Sequence, residues 1–193
     1  MNHDFSDSDP LENQPFPTLK QVLESVAPQC GFNVEVKYPQ KKNDGSWDGP
    51  SHRELDDNEF VDIILSTIFE HAGQRNIILS TFHPDICILL RLKQNLYPVL
   101  FLTQGRTQRY TWWSDPRTCS VERATFMANI FQFWGVNAHA EDLLKDRNLV
   151  QFVKRYGLTL FTWGEDINST NVIHQLKNDG VDGIIYDKFV FLH

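Results

Sequence analysis

Two oppositely charged residues, Glu35 and Lys37, alternate with valines in the run at residues 32–37. Successive side chains of a β-strand point to opposite faces, so Glu35 and Lys37 share one face and Val34 and Val36 share the other. If helices cover the valine face, the charged face looks into the centre of a sheet or barrel. Charges placed there need a metal, a ligand or each other. Two interpretations stay open: a ligand site, or a salt bridge on an edge strand that adds little stability.

Further candidate residues stand at the carboxyl ends of the other strand-like runs. Parallel strands that are covered on both faces should be almost wholly apolar, so polar residues within them or just after them are informative. In a (β/α)8 barrel, catalytic groups come from the carboxyl ends of the strands and lie on one rim. The pattern therefore favours a site at such a rim. The candidates are Ser80, Thr81, His83, Thr103, Gln104, Asn137, His139, Trp163, Glu165 and Asp187.

Some of these candidates have an ordinary alternative role, because strand ends border loops and loops are polar. His83 precedes Pro84 and is expected to belong to a helix-start turn. Asn137 and His139 have a similar alternative as turn residues ahead of the acidic helix start at residues 141–142.

The elements that must position these residues follow a repeated pattern of short β-branched or aromatic runs and longer segments with helical periodicity. This alternation is typical of βα units around a parallel sheet. Six strands are predicted, at residues 32–37, 76–81, 98–103, 135–138, 158–163 and 183–187. The predicted helices span residues 19–26, 60–68, 84–95, 150–156 and 172–178.

Three polar segments interrupt or precede this pattern. Residues 1–15 are predicted to be a flexible leader, which leaves residues 16–193 as one domain. Residues 39–59 form a segment that is longer than an ordinary strand-to-helix connection, so we expect it to be functional or disordered. In residues 105–120, arginines are interleaved with aromatic residues. Such a segment can stack single-stranded nucleic acid, but in an acidic chain we expect a packed loop whose arginine stems lie on rings.

Composition excludes several classes of protein. The 193 residues carry a formal net charge of -7, which argues against binding to nucleic acid or to an anionic membrane surface. No apolar run approaches the ~20 residues of a membrane span. The three cysteines are widely spaced and suggest neither a disulfide framework nor a zinc site, so we expect a cytoplasmic protein.

Five ordered blocks resemble the glycerophosphodiester phosphodiesterase family: PFPTLKQVLE, GFNVEVK, RNIILSTF, LTLFTWGED and GVDGIIYD. The glycerophosphocholine phosphodiesterase branch is the most similar, through GFNVEVKYPQ, DGSWDG and YPVLFLTQG. The resemblance runs from about residue 15 to the end of the chain. It implies an α/β fold of the TIM (β/α)8 barrel type, here incomplete, with about six βα units that correspond to strands 3 to 8.

The resemblance also implies an activity: hydrolysis of a small-molecule glycerophosphodiester to glycerol 3-phosphate and an alcohol, choline in this branch, with Mg2+ or Ca2+. By resemblance, Glu35 is the third metal-binding carboxylate, and Lys37 is the basic residue suited to the phosphate or to the charge of the metal cluster. Trp163 matches the aromatic residue that lines the glycerol or head-group pocket, and Trp47 or Tyr38 could join it as cation-π partners of choline. Asp187 matches the acidic residue that closes the last strand, in a structural or catalytic role.

Several family elements have no counterpart in the sequence: the HRG block with one catalytic His, and two further metal carboxylates. His3 and Asp4 spell the family's second acid/base pair, but they lie too close to the PFPTLK block, so we do not expect His3 to be catalytic. We therefore expect this chain to be catalytically incomplete, with two exposed sheet edges that a partner chain supplying the missing strands could cover. The alternative is a non-catalytic binding or interaction protein derived from the same barrel.

Overall fold

One parallel sheet organises the computed structural model of this protein, which describes residues 16–49 and 55–186. Six strands form the sheet, in the order β1-β4-β5-β6-β7-β8, and a separate antiparallel hairpin consists of β2 and β3. The strands are β1 (Phe32–Glu35), β2 (Gln40–Lys41), β3 (Trp47–Asp48), β4 (Ile77–Thr81), β5 (Val99–Thr103), β6 (Gly135–His139), β7 (Thr159–Trp163) and β8 (Gly183–Ile185). Apart from the hairpin, the strands follow chain order without a reversal, which is the winding of a (β/α)8 barrel rather than of a doubly wound sheet.

Helices connect successive strands of the sheet. Within the described ranges they are α1 (Leu19–Ser25), α2 (Asp57–His71), α3 (Pro84–Lys93), α4 (Val121–Ile130), α5 (Ala140–Lys145), α6 (Asn148–Arg155) and α7 (Thr170–Asp179). All six predicted strands and all five predicted helices are present, with shifts of a few residues at their ends. The sequence did not predict α4, whose buried face contains Ala124, Thr125 and Ala128 and therefore gives a weak apolar signal.

The hydrophobic core lies between one face of the sheet and the helices. Alternate residues of the central strands, such as Leu79, Phe101, Val136 and Leu160, are fully buried in it. Burial of each large apolar side chain stabilises the fold by about 1.5–3 kcal/mol. Since side chains alternate along a strand, the residues between them face away from the helices, toward the concave side of the sheet.

The two polar excursions are ordered where they are described, and they pack against each other. The backbone N–H of Asn43, next to β2, donates to the carbonyl of Trp112 at 2.9 Å. The N–H of Ser114 donates to the carbonyl of Lys41, also at 2.9 Å. The side-chain amide of Gln40 donates to the carbonyl of Phe82, just after β4, at 3.0 Å. These bonds hold the hairpin and residues 105–120 together beside the carboxyl ends of the strands.

Arg75 fixes the first helix to the sheet. Its buried guanidinium donates to backbone carbonyls at the end of α1 and just beyond it, among them those of Val26 at 2.7 Å and Ala27 at 2.7 Å. It also lies 4.5 Å from the centre of the Phe32 ring. Carbonyls at a helix end lack intrahelical partners, so one cation serves several of them at once.

Arg75→Met is expected to destabilise the fold by about 2–4 kcal/mol, because it leaves several partly buried carbonyls without donors. Urea unfolding followed by circular dichroism measures this change. Arg91→Met is the matched control, since the Arg91 side chain donates to a single carbonyl, that of Gln132 at 2.9 Å. A loss for Arg75→Met no larger than for the control would contradict the assigned role.

Candidate active site

A cleft of about 690 Å3 opens at the carboxyl ends of the parallel strands, between the concave face of the sheet and the two excursions. It brings together residues from β1, β4, β5, β6, β7 and β8, from the hairpin, and from residues 104–113. The polar and aromatic lining residues are Asn33, Glu35, Lys37, Lys42, Asp48, Ser80, Phe82, Gln104, Arg109, Tyr110, Thr111, Trp113, Asn137, Trp163 and Glu165. A site at one rim of the sheet, as the sequence predicts, is therefore present.

Glu35 and Lys37 both face this cleft, as their spacing predicts. Their carboxylate and ammonium groups are 3.9 Å apart, and their side chains are 39% and 77% exposed. Such a long and exposed ion pair adds little to stability. Burial raises the pKa of Glu35; the neighbouring carboxylate of Asp48 adds to the rise, and Lys37 opposes it. A cation beside Glu35 would offset both the cost of burying its charged carboxylate and the repulsion between that carboxylate and Asp48.

A second charged pair, which sequence reasoning did not single out, comes from the hairpin. Lys42 lies 3.5 Å from the carboxylate of Asp48, and its ammonium stands 5.5 Å from the centre of the Trp113 ring. The sequence signal for Asp48 is the DGSWDG block at residues 44–49, one of the blocks that carry the family resemblance. The hairpin thus adds one acidic and one basic group to the cleft.

Trp163, at the end of β7, is the centre of an aromatic wall in the cleft that also contains Tyr110 and Phe82. Its ring stacks on Tyr110 with centroids 6.0 Å apart and meets Phe82 edge-on at 5.3 Å. It also meets His139 edge-on at 4.5 Å, and its indole N–H donates to the carbonyl of Thr103 at 3.3 Å. These contacts fix the ring plane at the rim.

The two other aromatic residues that we expected beside Trp163 do not belong to this wall. Tyr38 packs on Phe60 with ring centroids 4.8 Å apart, and its hydroxyl donates to the carbonyl of Leu55 at 2.7 Å. Trp47 lies on β3 and does not line the cleft. Their place is taken by Phe82, which directly follows β4, and by Tyr110, which the excursion at residues 105–120 brings over the rim.

Ion pairs hold that excursion in place. Arg109 contacts the carboxylates of Glu165 at 3.0 Å, Asp166 at 2.9 Å and Glu141 at 3.5 Å. The hydroxyl of Tyr110 donates to Glu165. The hydrogen bond from Tyr110, together with Arg109, lowers the pKa of Glu165 to about 2, so this carboxylate is ionised at neutral pH. The guanidinium of Arg109 thus ties residues 105–120 to the carboxylates that follow β7 and begin α5.

The two histidines among the rim candidates serve as helix caps. The Nδ1 atom of His83 accepts a hydrogen bond from the N–H of Ile86 at 3.4 Å at the start of α3. The Nδ1 atom of His139 accepts one from the N–H of Glu141 at 3.3 Å at the start of α5. Burial lowers the pKa of His139, which keeps the ring neutral at pH 7. The helix-start interpretation is confirmed for both.

Asn137 is not a turn residue, and this alternative was wrong. It lies inside β6, its side chain is completely buried, and it lines the cleft. Neither of its amide atoms has a hydrogen-bond partner among the described residues, and the same holds for the hydroxyl of Ser80. Both residues face the concave side of the sheet, opposite the helices.

Other predicted residues lie outside the described ranges. These are His3 and the proposed leader, residues 1–15, and also Asp187. Among residues 16–49 and 55–186, no group of three or more His, Cys, Asp or Glu side chains is arranged to hold a metal ion. In the same ranges, no helix combines the length and the apolar character that crossing a membrane would require.

Comparison with known proteins gives the cleft a context. The family model described as the glycerophosphoryl diester phosphodiesterase family matches residues 3–190. A glycerophosphocholine phosphodiesterase of Rattus norvegicus is 46% identical over 177 residues, which cover 92% of this chain and 26% of that protein. The chain thus spans about a quarter of the length of this curated relative.

Solved structures share the fold. A glycerophosphodiester phosphodiesterase from Thermotoga maritima superposes with a TM-score of 0.56 at 19% identity, over 88% of this chain and 59% of that chain. An Oleispira antarctica phosphodiesterase, in complex with the product sn-glycerol-3-phosphate, gives a TM-score of 0.52 at 12% identity, over 67% and 45%. These matches confirm the predicted (β/α)8 barrel type with an incomplete set of strands in the described chain. The chain belongs to the glycerophosphoryl diester phosphodiesterase family.

Proposed function

We propose that the cleft is part of a site for the metal-dependent hydrolysis of glycerophosphodiesters, with glycerophosphocholine as the preferred substrate. One observation carries the proposal: the carboxylate of Glu35 and the ammonium of Lys37 share a cleft with the aromatic wall of Trp163. The name of the relative from Rattus norvegicus, a glycerophosphocholine phosphodiesterase, supports this substrate.

The metal would be Mg2+ or Ca2+, and Glu35 is its proposed ligand in this chain. Both ions prefer hard oxygen ligands such as a carboxylate. The raised pKa of Glu35 and the nearby charge of Asp48 suit a cation at this position. When bound, such an ion supplies charge stabilisation to the phosphoryl oxygens.

Lys37 and the aromatic wall would bind the two charged groups of the substrate, the phosphate and the trimethylammonium group. The ammonium of Lys37 is exposed in the cleft, where it can attract the anionic phosphate. A trimethylammonium group is recognised by aromatic faces, which Trp163 and Tyr110 provide. The ionised carboxylate of Glu165, bonded to Tyr110, adds a negative charge beside that wall.

In the proposed reaction, a water molecule gives up one proton to a base as its oxygen bonds to phosphorus, the bond from phosphorus to the choline oxygen breaks, and an acid gives a proton to that oxygen. Such proton transfers need a base and an acid in fixed positions. His83 and His139 are committed to helix caps. We propose that the acid/base groups and the remaining metal ligands come from outside this chain, which would make it catalytically incomplete alone.

A second candidate function is the binding of glycerophosphodiesters, or of a protein partner, without hydrolysis. It is favoured by the finding that the described residues hold no group of three potential metal ligands. We further propose a cytoplasmic location, supported by the three cysteines, all of them free. Strands β1 and β8 form the sheet edges within the described ranges, and we propose that further strands, from an upstream segment or a partner chain, pair there.

Choline release from glycerophosphocholine tests the proposed function. The assay compares this chain, with Mg2+, with a version extended upstream so that it includes the HRG block of the family. Hydrolysis is expected from the extended version and not from this chain alone. Activity of this chain alone would contradict the proposed incompleteness. An extended version that is inert toward every glycerophosphodiester, yet binds glycerol 3-phosphate, would support the second candidate instead.

A further inference from the structure

We propose that Asn137 determines specificity in this site, by hydrogen-bonding the hydroxyl groups of the glycerol moiety. The inference rests on the proposed function. It begins with the position of Asn137 in the middle of β6, between Val136 and Ala138, which both belong to the core under the helices. The side chain of Asn137 therefore points to the opposite face, where it lines the cleft.

The register partners of Asn137 on the two adjacent strands are both apolar. In the sheet register, Asn137 pairs with Leu102 of β5 on one side and with Phe161 of β7 on the other. Both its oxygen and its nitrogen are buried without a hydrogen-bond partner in the described part of the chain. Each such unpaired group costs about 1–3 kcal/mol, whereas buried polar groups in native proteins are nearly always paired. A group that enters the cleft would supply the missing partner.

The chemistry of a carboxamide selects among the groups of a glycerophosphodiester. An uncharged amide offers one acceptor oxygen and two N–H donors, which suits a hydroxyl group. It suits the phosphate less, because Lys37 supplies a positive charge for that anion in the same cleft. The trimethylammonium group has no hydrogen to donate. The two free hydroxyls of glycerol are the groups that fit.

The depth of Asn137 in the cleft also indicates that it binds the glycerol and not the head group. Trp163 pairs with His139 at the carboxyl end of β6, whereas Asn137 lies two residues deeper, opposite Phe161. The head group would therefore lie at the rim, against the aromatic wall, and the glycerol toward the floor. Asn137 is 0% exposed. A group that enters the cleft can therefore reach its amide only if it is small and if a neighbouring side chain moves slightly.

The test compares the binding of sn-glycerol 3-phosphate with that of propyl phosphate, which has the same charge and chain length but no hydroxyls. Both are titrated by calorimetry, at constant Mg2+, into the upstream-extended protein and its Asn137→Leu variant. We expect the unmodified protein to prefer glycerol 3-phosphate by about tenfold or more. The variant should lose this preference while its affinity for propyl phosphate changes by less than about twofold.

Thr162→Val is the matched control. The hydroxyl of Thr162 is also buried without a hydrogen-bond partner among the described residues, but Thr162 does not line the cleft. It pairs in register with Ala138, on the face of the sheet opposite Asn137. Both substitutions replace an unpaired polar group by an apolar one, so neither should lower the thermal unfolding midpoint. Only Asn137→Leu should abolish the preference for glycerol 3-phosphate.

The outcomes separate this inference from the proposed function. If the unmodified protein binds neither phosphate, the proposed function fails and the inference fails with it. If it binds both equally, the phosphate site stands and the role of Asn137 is overturned. A preference that persists in Asn137→Leu, or that is lost equally in Thr162→Val, would also overturn that role alone.

Discussion

Glu35→Gln is expected to lower kcat for choline release by about a thousandfold in the upstream-extended protein. The substitution keeps the shape of the side chain but removes the negative charge that we propose binds the metal. Stability should not fall, because burial and the charge of Asp48 already raise the pKa of Glu35 and disfavour its charged form. The measurement is choline release at increasing Mg2+, with thermal unfolding followed in parallel. The Mg2+ concentration for half-maximal activity should rise.

Glu70→Gln provides the control for this prediction. Glu70 is a largely exposed carboxylate on α2 that does not line the cleft. Its replacement should leave both kcat and the Mg2+ dependence within about twofold of the unmodified values. If Glu35→Gln behaves like Glu70→Gln, Glu35 is not a metal ligand. The ion pair with Lys37 would then be its whole role.

The parallel sheet could be predicted from sequence because its signals are local. Most strands are short runs of apolar, mainly β-branched or aromatic residues, and alternate residues such as Val136 and Leu160 are buried on the helix side. The period of two also placed Glu35 and Lys37 on one face, and the cleft confirms that placement. Trp163 was found in the same way, at the end of a strand. These features depend on neighbours within a few residues.

Other parts of the site depend on contacts between distant residues, which no local pattern records. Tyr110 and Glu165 are separated by 55 positions, and Asn43 meets Trp112 only when both excursions fold over the rim. The arginines and aromatic residues of residues 105–120 were visible in the sequence, but their partners were not. Asn137 falls in the predicted strand at residues 135–138, yet an asparagine near a strand end is equally compatible with a turn. Only the register with Leu102 decides between them.

Trp163 carries the second of the large expected effects, because its ring joins the other members of the aromatic wall. Trp163→Ala removes the face that stacks on Tyr110 and the edge contact with Phe82. We expect kcat/KM for glycerophosphocholine to fall by about a hundredfold, since a desolvated cation-π contact contributes about 2 kcal/mol or more and the wall also loses its packing. Steady-state choline release measures this in the upstream-extended protein.

A comparison of substrates separates cation binding from packing in this prediction. Replacing the half-buried Trp163 by Ala also removes packing contacts and destabilises the fold, so Trp163→Leu serves as a bulkier variant with no aromatic face. Trp47→Ala, on β3 and outside the cleft lining, is the matched control. If the wall binds the choline cation, Trp163→Leu should impair hydrolysis of glycerophosphocholine more than that of glycerophosphoglycerol, whose head group is neutral. Equal losses for both substrates would show that Trp163 only shapes the cleft, and the preference for a cationic head group would then need another source.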